Sequence, residues 1–143
     1  MLSRYRILFG ADDDVGTWVC ARAGGQWFKG MGGAIGITYA DSLVAGVAYT
    51  MYNGANVWAA IAADPAHRGR WLSRDILHRA IFHYPFRQLG CKRISALVYE
   101  SNTISQDFLT RLGFHREATL VDAAHDGHMF VYALRVEDCT WLR

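Results

Sequence analysis

Arginines crowd one short stretch of this chain: Asp64-Pro65-Ala66-His67-Arg68-Gly69-Arg70-Trp71-Leu72-Ser73-Arg74. Before it, residues 57–63 (VWAAIAA) are apolar without a break, as in a strand covered on both faces. After it, Leu72, Ile76, Ala80 and Ile81 recur at helical spacing. A strand, a glycine-bearing turn and a helix start bring free backbone N–H groups and a positive dipole end to one place. Arg68, Arg70 and Arg74 add guanidinium groups, which grip phosphate oxygens in pairs. The chemistry indicated is binding of a phosphorylated ligand. An ordinary connection with solvated arginines has the same composition, so the turn alone leaves both readings open. It is not a P-loop, because G-x-x-x-x-G-K-S/T is absent, and G-x-G-x-x-G at a first strand-to-helix turn is absent too.

Other chemistries find less support. His78 and His83 share a helix face poorly, and His125 and His128 fall at a loop-strand junction. With no H-E-x-x-H and no carboxylate set nearby, no metal is expected. G-x-S-x-G is missing, which argues against a serine hydrolase of that type. Arg68, Arg70, Arg74, His78 and Arg79 form a basic stripe, but Asp75 interrupts it and the net charge is only +2. Nucleic acid and anionic membranes are therefore not expected partners. Cys20, Cys91 and Cys139 are odd in number and far apart, which fits reduced thiols. No charge-free apolar run reaches the roughly 20 residues of a membrane span. The opening MLSRYRILFG is too short for a signal peptide, so a soluble, cytoplasmic protein is expected.

The 143 residues suit a single domain over 1–143, and 52% apolar content excludes disorder as the default. A helix is expected at about 12–22, opening on Asp12, Asp13 and Asp14, whose charges favour a helix N-terminus. A glycine-rich loop follows it, near 24–33. Strands follow near 34–39, 43–52 and 56–63, the last two joined by an Asn53-Gly54 turn. A helix at about 70–83, a strand at 93–99 and a helix at 103–112 come next. Thr103 and Gln106 fit a capping box, and Gly113 fits a left-handed helix end. Strands at about 114–121 and 128–136, joined by DAAHDG, complete the chain. Pro65 and Pro85 are read as element boundaries. The order predicts an α/β (α+β) fold with a mixed sheet and helices on both faces.

HRGRWLS resembles the pyrophosphate loop of the GNAT N-acetyltransferase superfamily, Gln/Arg-x-x-Gly-x-Gly/Ala after a proline-containing turn. Arg68 stands at the first position, Trp71 where glycine is usual, and Ser73 where glycine or alanine is usual. Asn102, Ser105, Phe108, Leu112, Gly113 and Phe114 are similar to the family's second segment, N-x-x-S/A-x-x-F/L/Y followed by L-G-F. The resemblance covers about 34–136 and is closest to the ribosomal-protein N-terminal acetyltransferase-like branch. It implies a mostly antiparallel sheet of about six to seven strands. It implies acetyl-CoA as co-substrate, with acetyl passing to a primary amine by direct attack in a ternary complex.

The same resemblance implies site residues. The pantetheine arm lies along Ala62, Ala63 and Asp64, with a thioester-binding N–H near Ala63. Arg68, Gly69, Arg70, Trp71, Leu72, Ser73 and Arg74 surround the pyrophosphate, and Asn102, Ser105 and Phe108 approach from the opposite side. Trp71 must then turn its side chain into the core or form a pocket wall. The tyrosine acid common in the family is replaced by Leu109, and Ser105 is the substitute candidate, although it also fits a plain helix-start role. Tyr99, Glu100, His67 or a water chain are candidates for the base. Trp71 and the missing tyrosine favour an alternative reading, an acyl-CoA-binding protein without catalysis. The acceptor stays open. The 24–33 loop, with Gln26, Trp27 and Phe28, and the 122–128 loop are expected to shape its pocket, and the apolar C-terminal strand offers a homodimer contact.

Overall fold

The computed structural model describes residues 4–143. Short-range turn chemistry sets most of its strands. Asn53 Oδ1 accepts from the N–H groups of Ala55 and Asn56, and Gly54 takes φ +94°, so the chain reverses where Asn-Gly predicts. The strands are β1 (Tyr5–Leu8), β2 (Gly32–Tyr39), β3 (Ser42–Thr50), β4 (Asn56–Ala63), β5 (Arg93–Tyr99), β6 (His115–Ala124) and β7 (Gly127–Arg135). They form one sheet in the order β1-β2-β3-β4-β5-β7-β6, antiparallel except for the β4–β5 pair. The six-to-seven-stranded expectation thus resolves to seven. β1 is the addition, an edge strand paired with β2.

Helix α1 (Asp12–Ala23) packs across β2, β3 and β4. Val15, Val19 and Cys20 meet Ala34 and Ala48 there. The approach is close: a Cβ at Gly46 would lie 2.8 Å from a Val19 methyl, so a larger residue there would push the helix off the sheet. The other face carries the main core. Ile76, Leu77, Ala80, Ile81 and Phe82, with Leu109 and Leu112 of α3 (Thr103–Leu112), cover the strands from that side. The Tyr49 hydroxyl, fully buried in this layer, donates to Ile81 O at 2.5 Å.

The helix expected at 70–83 begins later and runs further. It opens as an α turn over Arg74–Ile76 and continues as π-helix over Leu77–Phe82 and Tyr84–Gln88; the run is α2. Ser73 fixes the start, because its Oγ accepts from Ile76 N. Pro85 lies inside α2 and is no boundary. A proline is tolerated where the i→i−4 ladder is already broken, and here Leu89 N reaches back to Tyr84 O. A second correction concerns the C-terminal strand. β7 is paired on both sides, by β5 and β6, so it has no free edge to offer a second copy; the edges of the sheet are β1 and β6. No helix among the described residues is long and apolar enough to cross a membrane.

Candidate active site

β4 and β5 share a short ladder: Asn56 with Arg93, Val57 with Ile94, and Trp58 with Ser95. Beyond that rung both strands continue, β4 to Ala63 and β5 to Tyr99, and they diverge into an open seam. Antiparallel alternation determines which backbone groups face it. Asp64 N donates to Val44 O at 2.7 Å, so Asp64 and, in register, Ala62 and Ala60 direct their N–H and C=O to β3. Ile61 and Ala63 are turned the other way, into the seam. Across it, Glu100 N donates to His128 O at 3.0 Å, so Val98 and Ala96 belong to β7 while Leu97 and Tyr99 face the seam. The Tyr99 carbonyl is taken by Asn102 N and by Gln106 Nε2. Ala63 therefore turns its backbone into the seam, whereas the backbone of Ala62 is spent on Gly46. Ile61 was not singled out from sequence, although counting alternation from the Asn53-Gly54 turn identifies it.

The arginine turn closes the wide end of the seam. Asp64 Oδ1 accepts from Ala66 N at 2.9 Å and fixes the exit from β4, and Gly69 adopts φ +77°, a conformation that favours glycine. Arg68, Gly69 and Arg70 are exposed, and neither arginine has an ion-pair partner among the described residues. Trp71 is 4% exposed and turns into the core, which resolves its bulk while leaving its backbone in the turn. Leu72 is half-buried against the same core. Arg74 lies over the Trp141 ring at 5.7 Å. His67 goes elsewhere. Its Nδ1 meets Tyr5 Oη at 2.8 Å and its ring packs against Tyr39, which draws it toward β1 and β2 and away from β5.

On the other side of the seam, α3 is capped by Asn102, not by the expected Thr103 box. Asn102 Oδ1 accepts from Ser105 N at 3.1 Å, leaving the carboxamide NH2 as donors. Gln106 sends its Nε2 to the carbonyls of Tyr99 and Glu100, which ties the end of β5 to α3. Ser105 and Phe108 are half-buried near this junction, and Leu109 is a core residue at 5% exposure. Tyr99 projects toward the end of α1, where a Cβ at Gly24 would lie 3.5 Å from its hydroxyl. Glu100 Oε1 would lie 3.0 Å from a Cβ at Gly127, so the missing side chain there makes room for this carboxylate.

Other groups stand apart. Trp27 packs its indole on Gly16 of α1 and donates Nε1 to Asp13 Oδ1 at 2.9 Å, which commits it to the helix. That indole bond, then the Gly30 N–H, holds the Asp13 carboxyl below its usual range. The three cysteines are buried and free, and burial pushes each thiol up. A cavity of about 400 Å³ near Asp12, Gly33, Tyr49 and Tyr84 lies at the opposite end of β4 and shares no residue with the seam or the arginine turn.

Two strand edges with backbone groups turned into one seam therefore open onto a basic turn without ion-pair partners among the described residues. Residues 4–114 match the model of the acetyltransferase (GNAT) family, and the chain belongs to that family. No curated protein matches the sequence. Among solved structures it is similar to a GNAT-family acetyltransferase from Bacillus anthracis (TM-score 0.61, 18% identity, 73% of this chain and 66% of that one). It is also similar to a spermidine N-acetyltransferase chimera from Vibrio cholerae and hSSAT (0.74, 16%, 99% and 100%). A third is the ribosomal-protein-S18-alanine N-acetyltransferase from Escherichia coli (0.65, 17%, 92% and 94%). At these identities the likeness is one of fold, and the chain spans just under two thirds of the Bacillus anthracis protein.

Proposed function

We propose that the protein transfers acetyl from acetyl-CoA to a primary amine, with both substrates bound together and the amine attacking the thioester directly. The seam carries this reading: backbone groups of Ile61 and Ala63 face those of Leu97 and Tyr99, and the gap opens toward Arg68 and Arg70. An extended arm with amide groups and a pyrophosphate at one end finds complementary partners along it.

In this reading Ile61 and Ala63 bond the pantetheine amides and the thioester carbonyl. An N–H aimed at that carbonyl stabilises the negative charge that develops as the amine adds. The small side chains of Ala59, Ala60, Ala62 and Ala63 keep the strand low enough for close approach. Arg68, Gly69 and Arg70, with the backbone of Trp71, Leu72, Ser73 and Arg74, receive the pyrophosphate. Asn102, through its free NH2, and Phe108 contact the arm from α3. An ammonium is not a nucleophile, so a base must take its proton. Glu100 is assigned that role because its carboxylate stands over Gly127 beside the seam, and Tyr99 positions the amine next to it. Ser105, in the first turn of α3, supplies the proton for the departing thiolate.

Thermal unfolding with and without acetyl-CoA tests the coenzyme site. At about 100 times its dissociation constant a ligand stabilises by roughly 2.7 kcal/mol, which moves the midpoint of a domain this size by several degrees. The shift is expected in the wild type and lost in Arg68→Ala/Arg70→Ala. No shift at millimolar acetyl-CoA in the wild type contradicts the proposal.

A further inference from the structure

The face of the sheet beside the seam identifies a class of acceptor, an inference that rests on the acetyl-transfer reading above. Side chains alternate along a strand, so Ser95, Leu97 and Tyr99 of β5 share one face. Met129 lies opposite Tyr99 on β7, and Leu120 of β6 lies opposite Met129. Trp58 adjoins Ser95 on the last β4–β5 rung. α1 covers β2, β3 and β4 on this side, but Leu97, Tyr99 and Leu120 remain 46%, 38% and 40% exposed. The result is an apolar floor continuous with the seam, since Leu97 and Tyr99 line both.

The charged residues of this parity on β5 and β7 are Arg93 and Arg135, at the far end of the floor, and both are ion-paired. Arg93 and Glu117 neutralise each other at 2.9 Å. Glu100 follows Tyr99 and has the opposite parity, but it lies past the end of β5 and its Oε1 reaches within 3.0 Å of a Cβ at Gly127, which has the parity of Met129, so its carboxylate comes round the strand end to this face. Among the described residues Glu100 has no cationic partner. Asp122 and Asp126 belong to the exposed tip of the β6–β7 hairpin, so of the carboxylates set against the apolar floor itself Glu100 is the one without an ion-pair partner, and it matches one cation with an apolar body.

We propose that the acceptor is a monoamine, a single ammonium carried on an aryl or alkyl body. A polyamine would leave further ammonium groups against Leu97, Leu120 and Met129, where each loses hydration without a counter-charge. A peptide laid on this face would leave amides unpaired, because strand N–H and C=O groups lie in the plane of the sheet and do not point from its face. In the reaction the amine nitrogen bonds to the acetyl carbon as the carbon–sulfur bond breaks. Of the two protons the nitrogen gives up, one leaves through Glu100 to solvent and the other ends on the coenzyme A thiol.

The test follows coenzyme A release from acetyl-CoA with 2-phenylethylamine, spermidine or tetra-alanine as acceptor, in the wild type and in Leu97→Asp. The aryl amine is expected to exceed the other two in kcat/KM by about ten-fold or more. Leu97→Asp, a change at an exposed position, should lower phenylethylamine turnover and raise that of spermidine. The acetyl-CoA thermal shift, measured on both proteins, reports folding and coenzyme binding separately. If the wild type shows no shift, the acetyl-transfer reading fails. If the shift is present but spermidine or the peptide is the better acceptor, or none is turned over, the monoamine assignment is overturned and coenzyme binding stands.

Discussion

Burial sets the state of the cysteines. Cys20, Cys91 and Cys139 are each pushed upward, so all three stay protonated at neutral pH and make poor nucleophiles. Iodoacetamide should label them slowly in the folded protein and fast in denaturant; rapid labelling of any one under native conditions would contradict this burial. Asp13 titrates in the opposite direction. Its folded pKa lies below the unfolded value of about 3.9, so its contribution to stability is present above that pH and is lost as pH falls through the folded value. Asp13→Ala should therefore be less stable than the wild type at neutral pH, and the gap should narrow in acid; a gap constant with pH would exclude the charge-assisted bonds. Gly127→Ala addresses Glu100. The clash is with the tip of a flexible side chain, so stability should change by less than about 0.5 kcal/mol, while kcat falls because the carboxylate is displaced. Unchanged kcat would remove Glu100 from the proton path. The separation of the cysteines was legible from their number and spacing, but the lack of a side chain at Gly127 acquires meaning only once β5 and β7 are adjacent.

Elements differ in how far their local signals reach. α1, β5 and α3 fall where periodicity and end signals place them, because each has its apolar spacing and stop residue in one short window. β1 has four residues and an edge position, and so little local signal that only pairing with β2 defines it. At α2 the stripe beginning with Leu72 draws the expected start too early, because the cap at Ser73 and the burial of Trp71 decide the boundary together. At α3 both Asn102 and Thr103 are capping types, and the ties from Gln106 to Tyr99 and Glu100 leave the cap to Asn102. Asn102→Ala should cost about 1 kcal/mol in stability, measured by denaturant unfolding. A neutral outcome there would mean that the Gln106 ties alone fix the helix start. Trp27 was expected in the acceptor pocket, yet its packing on Gly16 makes it a support for α1. Trp27→Ala should lower the unfolding midpoint and leave acceptor preference unchanged.

The whole molecule is arranged around a fault in its own sheet. Seven strands hydrogen-bond side by side in one sheet, but the single parallel pair closes over only part of its length. The mixed fold, the arginine turn and the α3 segment were legible in the sequence, since each is a local pattern. The divergence of β4 from β5 was implied only by the family resemblance, because the ladder ends at Trp58–Ser95 within two strands whose local patterns continue unbroken. Backbone hydrogen exchange on the individual seam amides, with and without acetyl-CoA, tests it most directly. Ala60 and Ala62, already bonded to β3, should be protected in both states. Ile61 and Ala63 should exchange faster in the free protein and become protected when acetyl-CoA is added. If coenzyme binds while the Ile61 and Ala63 amides exchange unchanged, the seam is not where it lies.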